Sequence, residues 1–190
     1  MQFLSTRGGA AVSAAQAIVQ GICPSGGLYV PASFPQLDVE SLLQDGYVAA
    51  AEKVMAPYLT DTSAETLREM LSAAYKSFDD PAVVPVRPLG SCESVLELWH
   101  GPTMAFKDVA LQMLPYLMRN ALSVTGEDRQ IYILVATSGD TGKAALAGFC
   151  NVAGTRVLVF YPEGGVSRAQ RLQMVTQEGE NVDVCAVRGN

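Results

Sequence analysis

The sequence predicts an α/β protein: a helical N-terminal region over residues 1–80, then the first part of a parallel-sheet α/β domain over 81–190. Three observations carry this. The first 80 residues hold helix-favouring stretches and no strong strand signal. From residue 131 onward, β-branched apolar runs alternate with helical segments, the order that builds a parallel sheet with right-handed crossovers. And 190 residues that are 49% hydrophobic and 17% charged are too apolar for a disordered chain, yet contain no run long enough to span a bilayer.

Each element follows from local chemistry. Residues 10–20, AAVSAAQAIVQ, favour helix, and Gly21 suits its C-terminal cap. The stretch GICPSGGLYVPASFP is punctuated by Gly and Pro and reads as loop. A helix is expected over 41–59. Another begins at Thr62, whose hydroxyl can cap it while Glu65 reaches back as the partner of a capping box. It runs to Phe78, where Asp79, Asp80 and Pro81 stop it.

Residues 94–99, SVLELW, form a short strand. Residues 105–119 form a helix with Phe106, Val109, Ala110, Met113, Leu114 and Leu117 on one apolar stripe. IYILVAT at 131–137 is continuous enough to be a strand covered on both faces. A helix over 141–152, a strand over 156–161, a helix over 167–177 and a strand over 182–187 complete the series. Asn190 follows a strand directly, without the helix that should cover it, so the domain is expected to be cut short.

Composition narrows the partners. A net charge of −6 and a sequence pI of about 4.7, with four lysines and nine arginines scattered along the chain, make no basic face for nucleic acid. A small molecule is the expected partner, with neither nucleic acid nor membrane. Cys23, Cys92, Cys150 and Cys185 form no CxxC pair and read as buried apolar residues in a reducing compartment. One histidine, His100, excludes a multi-histidine metal site, and no metal is expected. Arg7, Gly8 and Gly9 do not open a signal peptide, so a cytoplasmic location is expected.

Two segments combine a strand end, a glycine turn and a helix start, the position where doubly wound folds place ligands. In HGPTMAFKD, residues 100–108, Lys107 stands at the corner among Trp99, Met104 and Phe106, a setting suited to a nucleophilic amine, although a solvated lysine beside Asp108 would give the same pattern. In VATSGDTGKAA, residues 135–145, Thr137, Ser138, Asp140 and Thr141 supply oxygens while Gly139 and Gly142 let backbone amides approach a carboxylate or phosphate. A capped helix after a βα turn is the plainer reading. The loop is neither GxGxxG nor a Walker P-loop, so neither a dinucleotide nor a nucleoside triphosphate is indicated.

The order STRGG at residues 5–9, GGLYVP at 26–31, GPTMAFKD, ATSGDTGKAA, FYPEGGVSRAQRLQM and a final RGN resembles the threonine synthase family over the whole chain. The resemblance implies a fold-type II enzyme dependent on pyridoxal 5'-phosphate (PLP), with the three-layer α/β fold of the tryptophan synthase β kind. Members are more than twice as long. It implies conversion of O-phospho-L-homoserine and water into L-threonine and phosphate. Lys107 would hold the cofactor and shuttle protons. Asp140 would lie by its phenolic oxygen, where related enzymes carry Asn. Thr137, Ser138, Gly139, Thr141 and Gly142 would bind the substrate carboxylate.

Lys143, with Arg168 and Arg171 as further candidates, would meet the leaving phosphate, whereas His100 reads as a structural hydrogen bonder. In the family the cradle for the cofactor phosphate and the partner of its pyridine nitrogen come from later in the chain. These 190 residues alone are therefore expected to bind PLP weakly or not at all and to be inactive. The alternatives are another fold-type II enzyme, such as a threonine or serine dehydratase, a non-catalytic homologue, or a doubly wound domain that binds some other phosphorylated ligand.

Overall fold

The computed structural model describes residues 1–189. In chain order the elements are β1 (Phe3–Ser5), α1 (Ala14–Gln20), β2 (Tyr29–Pro31), α2 (Val39–Leu43), α3 (Tyr47–Met55), α4 (Ala64–Tyr75), β3 (Val86–Pro88), β4 (Ser94–Leu96), α5 (Asp108–Leu111), α6 (Leu114–Thr125), β5 (Ile131–Ala136), α7 (Asp140–Phe149), β6 (Thr155–Pro162), α8 (Arg168–Val175) and β7 (Val182–Val187). They form two units, Met1–Ala74 with Tyr116–Asp128, and Tyr75–Pro115 with Arg129 onward. A single cut near residue 80 is thus too simple. The segment from Tyr116 belongs with the first unit, where Asn120 donates to Thr62 Oγ1 at 2.7 Å.

The first unit is not purely helical. β1 and β2 pair antiparallel, Phe3 opposite Pro31. Three residues are too few to display a strand's alternation, which hid both in an apparent loop. α1 carries a full capping box between Ser13 and Gln16, and Gly21 closes it with φ 65° and its amide on the Ala17 carbonyl. The single helix expected over 41–59 is two, α2 and α3, because Gly46 takes an extended conformation between them. At α4 the cap is Ser63, whose hydroxyl accepts the Thr66 amide at 3.1 Å, one residue beyond the expected Thr62. Leu67, Met70, Leu71 and Ala74 bury one stripe of α4.

In the second unit, β3 and β4 form a separate antiparallel hairpin, so SVLELW does not join the parallel sheet. The helix expected over 105–119 is split into α5 and α6. Pro115 lacks an amide proton and is tolerated only in the first turn of a new helix, which is where it stands. The sheet is β5-β6-β7, all parallel. Successive right-handed crossovers that advance in one direction put α7 and α8 on the same face. Val157, Val159, Tyr161, Leu146, Phe149 and Met174 are buried there. On the other face Tyr132 and Leu134 are 61% and 66% exposed, so the second covering layer anticipated for β5 is not seen among the described residues. At the amino ends of the strands Asn181 closes the structure, donating to the carbonyls of Phe149 and Thr155.

Among the described residues, no helix is long and apolar enough to cross a membrane, and no cluster of His, Cys, Asp and Glu is arranged to hold a metal. Only Cys23 of the four cysteines is fully buried. Cys92 and Cys185 are exposed, contrary to the expectation of four buried thiols.

Candidate active site

The carboxyl ends of the three parallel strands frame a recess of about 280 Å³, lined by Ala136, Thr137, Phe160, Tyr161, Pro162, Val187 and Gly189. The loop 137–142 leaves β5 at its rim and turns into α7. Thr137 organises this loop: its Oγ1 accepts the amides of Gly139 at 3.0 Å and Gly142 at 3.1 Å. A Cβ on Gly142 would lie 2.4 Å from Thr137 Cγ2 and 2.8 Å from Val159 Cγ1, so this glycine is needed for α7 to close on the sheet. Gly139 adopts φ 149°, which side chains rarely accept.

The six loop positions expected to bind ligand thus divide. Thr137, Gly139 and Gly142 spend their polar groups on building the loop. Ser138, Asp140 and Thr141 are exposed, and no described residue accepts a hydrogen bond from their amides. Three free amides and two hydroxyls at the positive end of a ten-residue helix make a site for a small anion. Asp140 Oδ1 takes a hydrogen bond from Gln170 Nε2 at 2.9 Å. Sequence reasoning missed Gln170, whose only signal was its place in the Ser167 capping box.

Lys143 lies elsewhere. Its Nζ donates to Gln177 at 2.6 Å, beyond the last turn of α8. Cys150 Sγ, at the far end of α7, binds the neighbouring Glu178 carbonyl, so the lysine points away from the loop. Burial pulls its ammonium below the ordinary lysine value. Arg168 and Arg171 are exposed on α8.

The 100–108 corner is built around Asp108. This acid is fully buried, and its two oxygens accept the amide and hydroxyl of Thr103, each at 2.8 Å. Gly101 must lack a side chain because a Cβ would stand 2.4 Å from that of Asp108. Met104 takes φ 59°, an uncommon conformation for a non-glycine residue. Together they fix Lys107 as the residue preceding α5, half-buried, with Nζ 4.8 Å above the Phe106 ring. No described carboxylate pairs with it. The apolar setting expected around Lys107 is open, since Met104, Phe106 and Trp99 are all exposed.

α5 packs against α7. The Leu111 carbonyl lies against Gly148 in the later half of α7, and a Cβ on that glycine would stand 2.2 Å from it. Lys107 and the loop 137–142 both belong to the second unit. His100 is held between Asp79, 2.5 Å from Nδ1, and Glu97, 2.8 Å from Nε2. The Glu97 hydrogen bond, then that of Asp79, raises its imidazole above the ordinary value.

Comparison with known proteins bears on the whole chain. Residues 2–75 match a family described as threonine synthase N terminus. A threonine synthase of Pseudomonas aeruginosa is 38% identical over all of this chain and 41% of its own length, and one of Schizosaccharomyces pombe is 36% identical over all of it and 39% of its own. The crystal structure of a PLP-bound threonine synthase from Brucella melitensis superposes with a TM-score of 0.91 at 36% identity, over all of this chain and 42% of that one. The chain thus spans about two fifths of the length of the relatives it matches.

Proposed function

We propose, for a chain related along its whole length to the N-terminal part of the threonine synthase family, that it supplies the lysine and the anion loop of a PLP-dependent lyase. The reaction is conversion of O-phospho-L-homoserine and water into L-threonine and phosphate. The observation that carries this reading is the presence in the second unit of both an amine without a carboxylate partner, Lys107, and free amides at 138, 140 and 141.

The residues present suit PLP, since Lys107 offers a free amine to an aldehyde and Asp140 offers an exposed carboxylate to a phenolic oxygen. The cofactor, when bound, supplies an electron sink. Ser138 and Thr141 donate hydroxyls to the substrate carboxylate, joined by the amides of Ser138, Asp140 and Thr141. Lys107 would hold the cofactor and would move protons at Cα and Cγ of the substrate. The reaction requires proton movement at neighbouring carbons, and a long, flexible amine can reach them where a rigid imidazole cannot. Asp140 would face the phenolic oxygen of the cofactor, where a proton between the two would relieve the repulsion of adjacent anions.

The Gln177 bond turns Lys143 away from this chemistry, so a cation for the leaving phosphate comes from elsewhere. We further propose that these 190 residues alone bind PLP weakly and do not turn over, because more than half of each relative's length is unmatched here. The test joins this chain to the unmatched portion of the Pseudomonas aeruginosa relative. With PLP and O-phospho-L-homoserine, the joined polypeptide releases phosphate and L-threonine while the 190 residues alone release neither. A 2-oxo acid with ammonia from the joined form points to a dehydratase and overturns the lyase reading. Turnover by the 190 residues alone overturns the second proposal.

A further inference from the structure

Gln170 lies in the first turn of α8 and uses both ends of its carboxamide. Its Oε1 accepts the Ser167 amide at 3.2 Å, and Ser167 Oγ accepts the Gln170 amide at 3.2 Å, which closes the capping box of α8. Its Nε2 donates to Asp140 Oδ1 at 2.9 Å. The polarity is forced. Turning the amide over would set its oxygen against a carboxylate and its NH2 against an N–H, replacing two attractions with two repulsions. The same carboxamide also fills the space beside Gly139, where a Cβ would meet its Cδ and Nε2 at 2.5 Å.

We infer that Gln170 is the positioning residue of the loop 137–142: by holding Asp140 Oδ1 as an acceptor and packing on Gly139, it leaves Oδ2 as the oxygen with which Asp140 meets a ligand. The identity of that ligand rests on the function proposed above, but the positioning itself does not. If a proton is shared between Asp140 and a phenolic oxygen, it lies on the Oδ2 side, because Oδ1 already faces a donor. One side chain therefore ties the starts of α7 and α8 into a single rim above the strand ends.

Gln170→Glu separates positioning from capping. Glutamate keeps the acceptor for the Ser167 amide but places a carboxylate where Asp140 had a donor. In the 190-residue chain, read by amide chemical shifts without any ligand, Gln170→Glu leaves the resonances of residues 173–175 in place and displaces those of Ser138 to Thr141 beyond their linewidths. Gln170→Leu, which loses both bonds, displaces both groups. If Gln170→Glu leaves the loop resonances at their wild-type positions, the side chain is only a cap and the inference falls. It also falls if Gln170→Leu moves the α8 resonances alone. In the joined polypeptide with PLP, Gln170→Glu shifts the visible absorption maximum relative to the parent. An unchanged maximum contradicts the ligand-facing role of Asp140 Oδ2. Failure of the parent to attach PLP at Lys107 sinks the lyase reading while the ligand-free spectra still decide the positioning.

Discussion

The two glycine corners of the second unit use the same residue types in opposite ways. At 100–108 the acid is the structural clamp: Asp108 is buried, satisfied twice by Thr103, and so close to position 101 that only glycine fits there. The neighbouring Lys107 is left free of carboxylates. At 137–142 the hydroxyl is the clamp. Thr137 collects the two glycine amides, and the acid, Asp140, is exposed and steered by Gln170. Burial and partners, and not residue type, decide which side chain builds a corner and which one it presents.

This contrast predicts a graded set of substitutions. Lys107→Ala carries the largest functional effect, a loss of at least about 10²-fold in turnover of the joined polypeptide, as expected for removal of the group proposed above to transfer protons. Its midpoint of thermal unfolding stays close to the parent's, since the side chain clamps nothing. Asp108→Ala does the reverse in kind: it strands a buried amide and hydroxyl and lowers stability by about 3 kcal/mol, read by denaturant unfolding. An Asp108→Ala protein as stable as the parent would erase the distinction between the corners.

Gly139→Ala is expected to cost about 1–3 kcal/mol, because φ 149° and the Gln170 carboxamide both oppose a Cβ. Thr137→Val keeps the shape but deletes the acceptor of two amides, with a loss of about 1–2 kcal/mol. Asp140→Ala, at an exposed position, leaves stability within about 0.5 kcal/mol while displacing ligand-dependent signals.

The smallest effect concerns His100, beside the first corner. Its folded pKa is raised by Glu97 and then Asp79, so its contribution is complete below the unfolded value near 6.5 and fades as pH rises through the folded value. His100→Gln should reduce the fall in unfolding midpoint between acidic and alkaline buffer. An identical fall in the variant would remove His100 as its source.

Much of this arrangement is legible in the chain. The alternation from 131 to 187 gives the three parallel strands and two covering helices, because eight-residue β6 and ten-residue α7 are long enough to show their periods. The short hairpins β1-β2 and β3-β4 are not legible, since three residues carry no period. The open face of β5 is hidden for another reason: an apolar run predicts that a face can be covered, not that the matching layer is present. At the site, Lys107 directly precedes α5 and Asp140 is exposed at the start of α7. The division of labour within 137–142 depends on where Thr137 Oγ1 points, and Lys143's bond to Gln177 joins residues 34 apart, so neither can be read from spacing.

On the proposed function, the first corner exists to present Lys107. Borohydride reduction of the joined polypeptide loaded with PLP, followed by peptide mapping, tests it directly. The cofactor is expected to be fixed to the peptide containing Lys107, and Lys107→Ala to abolish the label. Fixation at Lys143 or another lysine, or no fixation in the parent, would contradict it.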